Sequence, residues 1–316
     1  MKKIMIAAFV VILIGVVTGT FYFESASTPP GTNRPTEYSG TQESGQSQPD
    51  PLQPIYVQEM IGYSLQRNQL QITYSNGNEW TEVPIEKGTL FEGEYSGNEQ
   101  ELIQNSFILT PERAAFLYAD DSSTDSGYGA YGKSIKLIYS LDKGKTWEDA
   151  VITEQYPPLR FRKVEFTNKT FGYVIVSGDR TMSQEWTTVY LTDDGGRTWR
   201  ETAHPGVTRL LYNGGFVDEQ TGFLSFGILN PEEPDLHVTL DRGNSWSKAK
   251  IEIPETYHKI FVTAEVPFKE EDHLAVYLNQ GPNGDYKGGG IKGKFLSSDS
   301  GLTWTFSEEV QPDETN

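Results

Sequence analysis

The chain has 316 residues, no cysteine and a formal net charge of −18. Without cysteine there is no disulfide, no thiolate metal site, no cysteine nucleophile and no lipidated cysteine. The acidity excludes the basic face that nucleic-acid binding requires; it favours solubility and repulsion from anionic surfaces.

Lys2 and Lys3 precede an apolar run from Ile4 to Phe23. A helix of that length spans about 30 Å, roughly one hydrocarbon core. The lysines predict a cytoplasmic N-terminus and an exported remainder. Residues 1–23 therefore read as a signal peptide or signal anchor. The run exceeds an ordinary cleavable h-region, which favours the anchor. Cleavage near Ser25-Ala26-Ser27 would instead release a secreted protein. Residues 24–54 are rich in Ser, Thr, Pro, Gly and Gln, with almost no large aliphatics. Such a stretch cannot bury enough surface to offset its ordering entropy, and it reads as a disordered stalk.

From residue 55 to 310 the sequence is β-like, with many glycines and aromatic side chains. One phrase recurs: Ser140-Leu-Asp-Lys-Gly-Lys-Thr-Trp147, Thr192-Asp-Asp-Gly-Gly-Arg-Thr-Trp199, Thr239-Leu-Asp-Arg-Gly-Asn-Ser-Trp246 and Ser297-Ser-Asp-Ser-Gly-Leu-Thr-Trp304. A worn copy, Thr73-Tyr-Ser-Asn-Gly-Asn-Glu-Trp80, comes first and marks an irregular first unit. The phrase's spacing suits four strands plus turns. Alternating β-branched and aromatic residues before each copy supply those strands, as in Phe161–Phe166, Phe171–Val176 and Thr187–Leu191. The expected fold is all-β, a β-propeller of about five four-stranded blades, closed by pairing of the chain ends. Residues 311–316 are a tail.

The phrase has a mechanical reading as the turn between third and fourth strands. Asp142, Asp194, Asp241 and Asp299 can accept backbone N–H bonds inside their own turns. Gly144, Gly196, Gly243 and Gly301 can supply positive φ. Trp147, Trp199, Trp246 and Trp304 open the outer strand and cover the turn. A second phrase, Phe-x-(Asp/Asn)-x-x-x-Gly-aromatic, occurs at Phe166–Tyr173 and Phe216–Phe223 and joins first to second strands.

These phrases resemble the Asp-box, or bacterial neuraminidase repeat, of sialidases, sortilin-type domains and photosystem II assembly factors. The wording is most similar to the last group and to sortilin. The resemblance covers about residues 55 to 310. It implies fold, because the box is a scaffold shared by unrelated activities. Membership among the sialidases would imply an arginine triad for the substrate carboxylate, a Tyr–Glu nucleophile pair and an Asp acid. The (Phe/Tyr)-Arg-Ile-Pro phrase carrying that family's first arginine is missing. Three arginines converging beside a Tyr–Glu pair over the central channel would restore that reading.

No serine elbow, Walker or dinucleotide phrase occurs, so no cofactor is expected. His204, His237, His258 and His273 lack metal-ligand spacing. Asp121 and Asp125 weakly resemble a calcium loop, but its glycine is displaced and no bidentate glutamate follows. The box turns crowd one face of a propeller, leaving the longer second-to-third-strand loops on the other, where binding is expected. Tyr128, Tyr131, Trp186, Tyr286 and Lys287 are the candidate contacts there. The expected function is an exported, membrane-tethered, non-catalytic scaffold for an envelope protein or glycan. The alternative is a glycoside hydrolase of the sialidase superfamily.

Overall fold

Five successive runs of alternating apolar strands form five sheets in a computed structural model that describes residues 53–120 and 132–311. The first sheet holds β1 (Ile55–Gln58), β2 (Ile61–Ser64), β3 (Gln69–Thr73) and β4 (Thr81–Glu86). The second holds β5 (Phe107–Leu109), β6 (Ala114–Asp120), β7 (Lys133–Ser140) and β8 (Glu148–Tyr156). The third holds β9 (Leu159–Phe166), β10 (Gly172–Thr181), β11 (Gln184–Thr192) and β12 (Arg200–Glu201). The fourth holds β13 (Leu211–Phe216), β14 (Gly222–Phe226), β15 (Asp235–Thr239) and β16 (Ser247–Lys248). Each is an antiparallel meander in chain order.

The fifth sheet is larger. It contains β17 (Lys250–Glu252), β18 (Phe261–Ala264), β19 (Phe268–Glu270), β20 (His273–Gln280), β21 (Lys292–Ser297) and β22 (Thr303–Val310). Here β22 pairs with β21 and, in parallel, with β17, while β1 pairs only with β2. The expected pairing of chain ends is therefore absent among the described residues. The outer edge of β22 is taken by the crossover that leaves the fourth sheet.

Alternation explains the packing. On β10, Val174 stands opposite Val164 on β9 and Tyr190 on β11, and all three join the core shared with the second sheet. Its neighbours Tyr173 and Ile175 point the other way, into the core shared with the fourth sheet. Period-two alternation thus makes one strand line two cores. Such cores join the first sheet to the second, the second to the third, the third to the fourth and the fourth to the fifth. Among the described residues none joins the fifth to the first.

The recurring turns make a common set of local hydrogen bonds. In the second sheet, the Asp142 carboxylate accepts from Ser140 Oγ at 2.8 Å, Thr146 N at 2.9 Å and Thr146 Oγ1 at 2.7 Å. Ser140 Oγ in turn accepts from Gly144 N at 2.8 Å. Asp194, Asp241 and Asp299 hold their own turns in the same way. Gly144, Gly196, Gly243 and Gly301 all have positive φ, and so does each preceding residue, Lys143, Gly195, Arg242 and Ser300. In the worn copy Ser75 Oγ replaces the carboxylate and accepts from Glu79 N at 2.8 Å. The first sheet is also irregular at β1, whose register with β2 shifts between Tyr56 and Gln58.

The N-terminal segment, most of the linker, the final residues, Asp121, Asp125, Tyr128 and Tyr131 lie outside the described residues. Among those described, no helix is long and apolar enough to cross a membrane.

Candidate ligand cavity on the loop face

The link from the first to the second sheet does not stay between them. Residues 87–106 cross to β9, where Glu94 N and Tyr95 N donate to Leu159 O, and Val164 N donates to Asn105 O. This strap and the starts of β9 and β13 enclose a cavity of about 570 Å³. It opens on the face away from the recurring turns. Its wall includes Tyr95, Gln104, Asn105, Arg160, Arg162, Arg180, Tyr212, Asn213 and Ile228.

Three arginines in a protein of net charge −18 meet at this cavity, and each is held differently. Arg162 is only 2% exposed. Its Nη1 donates to Leu90 O at 3.1 Å, and Nη2 donates to Glu92 O at 2.7 Å and Tyr95 O at 3.0 Å. Burial lowers its pKa to about 10. Its Nε is buried without a hydrogen-bond partner, and among the described residues no carboxylate makes an ion pair with it, although the Glu92 charge partly offsets the effect of burial on its pKa. Three carbonyl oxygens bond this cation and pin the strap to β9.

Arg160 is a wall. Its Nη2 donates to Glu185 Oε1 at 2.7 Å and Leu211 O at 2.6 Å, and Nε bonds the same carboxylate. Arg180, near the end of β10, is exposed; its Nε donates to Met182 O at 3.3 Å. Its backbone N–H donates to Glu94 Oε1 at 2.9 Å.

Tyr212 sits beside them. Its hydroxyl accepts from Asn279 Nδ2 at 3.4 Å, and the same nitrogen donates to Glu265 Oε1 at 2.8 Å. Lys292 pairs with Glu265 at 2.7 Å. Burial, and then the Glu265 charge, raise the pKa of Tyr212. Three arginines and a tyrosine thus line one cavity, part of the arrangement that a sialidase would need. Two of the guanidinium groups are occupied within the protein, and Asn279 stands between the tyrosine and the glutamate. Such an arrangement can attract and orient an anion, but a raised phenol pKa opposes a phenolate nucleophile.

The residues expected from sequence lie elsewhere. Trp186 is 47% exposed and stacks on His204, with ring centroids 3.8 Å apart. Burial lowers the His204 pKa, and its Nδ1 accepts from Gly206 N at 3.0 Å. Tyr286 donates to Glu309 at 2.8 Å, and Lys287 bonds the same carboxylate. A third donor, Tyr257 Oη, completes that clamp at 2.9 Å. The polar ends of Tyr286 and Lys287 are thus bound inside the fifth sheet's loop. The arginine cavity was missed, although Leu159-Arg-Phe-Arg-Lys163 puts three cations in five strand residues of an acidic chain. No group of three or more acidic or histidine side chains able to hold a metal occurs among the described residues.

No protein-family model matches the chain, and no curated protein matches it. Solved structures do. A GH74 xyloglucanase from Xanthomonas campestris is 14% identical with a TM-score of 0.44 over 78% of this chain and 36% of its own. A protein of unknown function from Dyadobacter fermentans is 15% identical with a TM-score of 0.41, over 65% of this chain and 66% of its own. A mutant Trypanosoma rangeli sialidase displaying trans-sialidase activity is 12% identical with a TM-score of 0.36, over 64% and 36%. The chain thus spans about a third of the length of the two enzymes. Such neighbours are β-propeller proteins, mostly glycoside hydrolases, at low identity.

Proposed function

We propose that this chain is a five-bladed β-propeller with Asp-box turns whose loop-face cavity binds an acidic saccharide. One observation carries the reading: Arg162 is a buried cation in the cavity wall whose hydrogen bonds all go to carbonyl oxygens and whose Nε has no partner among the described residues. An isolated buried charge is unfavourable unless something compensates it. Carbonyl oxygens do so in part, and an anionic ligand would supply the missing charge. Arg180 adds a second cation whose terminal nitrogens face no partner among the described residues. Gln104, Asn105 and Asn213 offer amides for hydroxyl groups, and the volume suits one or two sugar rings. The N-terminal segment would export the propeller and tether it outside the membrane.

Calorimetry with D-glucuronate against D-glucose tests the reading. Glucuronate is expected to bind and glucose is not, and Arg180→Ala should weaken the binding about tenfold or more. Equal affinity for the two sugars would refute it. Hydrolysis is the second reading, favoured by the convergence of Arg160, Arg162 and Arg180 beside Tyr212. Release of fluorophore from a fluorogenic sialoside, lost in Tyr212→Phe, would establish it. Binding without turnover would leave a recognition module.

A further inference from the structure

The fold holds Tyr95 at the arginine cavity by its backbone and not by its side chain. The residue is 56% exposed, and its side chain makes no hydrogen bond or ring contact among the described residues. The backbone is fixed from both sides. Tyr95 N–H donates to Leu159 O at 3.2 Å, and Tyr95 O accepts from Arg162 Nη2 at 3.0 Å. The two residues before it are tied as closely. Glu94 N–H donates to the same Leu159 O at 2.8 Å, and the Glu94 carboxylate accepts from Arg180 N at 2.9 Å. Gly93 has a φ of +136°, and a Cβ there would lie 2.3 Å from Leu159 O and 2.9 Å from Arg162 Nη2. Only glycine permits so close an approach. Single exposed apolar residues are ordinary. Of the large apolar side chains exposed among the described residues, however, only Tyr95 and Tyr212 line this cavity. The Tyr212 hydroxyl is already met by Asn279, which leaves Tyr95 as the open ring.

Resting on the acidic-saccharide reading, we propose that the cavity takes an oligosaccharide and not a lone acidic sugar: the acidic ring sits at Arg162 and Arg180, and the neighbouring sugar ring lies on Tyr95. A pyranose presents a face of C–H bonds, which packs on the negative face of an aromatic ring. Tyr95 O itself bonds Arg162, so the two subsites adjoin. The cavity, at about 570 Å³, has room for both rings. A tyrosine on a pinned backbone loses little conformational freedom when a ligand covers it, so the contact is preorganised.

Calorimetry on the intact chain compares D-glucuronate with two β-linked disaccharides, glucuronosyl-glucose and glucosyl-glucuronate, which place the neutral ring on either side of the acid. At least one disaccharide is expected to bind about tenfold more tightly than glucuronate. Tyr95→Ala should abolish that gain, and Tyr95→Phe, which keeps the ring, should retain it. Arg180→Ala should weaken all three ligands and leave the gain standing. Tyr95→Ala removes an exposed side chain and keeps the backbone bonds to Leu159 and Arg162, so its urea midpoint is expected to match that of the native protein. Equal affinities for the three ligands overturn the inference while the saccharide reading stands, as does a gain that survives Tyr95→Ala. A gain with phenyl β-D-glucuronide but with neither disaccharide marks a plain apolar shelf and also overturns it. If none of these ligands binds, the saccharide reading falls and takes this inference with it.

Discussion

Glu185→Gln tests whether Arg160 belongs to the wall or to the ligand. The Glu185 side chain has no exposure, and it accepts both guanidinium bonds from Arg160 together with Leu211 N at 2.6 Å. Neutralising it strands a cation between the third and fourth sheets. Breaking a buried pair from one side costs about 3–5 kcal/mol. For a domain of this size that corresponds to a fall in Tm of about 6–20 °C. Removing both charges is different, because a buried pair replaced by apolar groups is often neutral. The double variant Arg160→Met, Glu185→Met should therefore be more stable than either single variant. Urea unfolding of the native protein, Arg160→Met, Glu185→Met and the double variant measures this coupling, with Glu185→Gln measured beside them. A single-variant cost below about 1 kcal/mol, or simple additivity, would refute the reasoning. The double variant should also keep its affinity for glucuronate, since Nε and Nη2 of Arg160 are already engaged within the protein.

Three further outcomes follow from the turns and the exposed stack. Gly301→Ala should cost about 2–5 kcal/mol, because its φ is +88° and a Cβ would lie 2.4 Å from Phe223. Gly144→Ala, also left-handed but with its nearest neighbour at 3.1 Å, should cost about 1–2 kcal/mol; urea midpoints will rank them. Thr146 N–H and the hydroxyls of Thr146 and Ser140 lower the Asp142 pKa from 3.8 to about 2. For Asp194, burial would raise the pKa, but hydrogen bonds from Thr198 and Thr192 prevail and hold it at about 2. Folded values below unfolded ones contribute stability above about pH 4 that is lost as pH falls towards 2. Circular dichroism should show that loss in the native protein and a shallower acid limb in Asp142→Asn, Asp194→Asn. Finally, protonating His204 beneath the Trp186 ring should change tryptophan fluorescence with a midpoint below 6.5, since burial lowers that imidazole's pKa. A midpoint at or above 6.5, or one that persists in His204→Gln, would contradict the stacking.

The all-β repeat was legible because its determinants are local. The bonds to each box carboxylate join residues no more than four apart, as Thr146 and Asp142 illustrate. Side-chain alternation likewise marked the strands, though which of them line two cores emerged only from the packing. One local feature escaped the reading: Lys143, Arg242 and Ser300 adopt positive φ without being glycine, because the turn imposes it. The loop-face residues show why local reading stops there. An exposed aromatic in sequence says nothing of what it touches, and Trp186 proves to be stacked while Tyr286 is clamped by a glutamate 23 residues on.

The sequence by itself determined the repeated strands and turns, whose energetics are decided within one hairpin. Only the tertiary structure decided the cavity. Its walls come from the strap, β9, the end of β10 and the start of β13, spread from Tyr95 to Ile228. Arg162 becomes a buried cation because carbonyls about 70 residues earlier fold over it. No spacing in the chain encodes that encounter, which exists only once the sheets have packed.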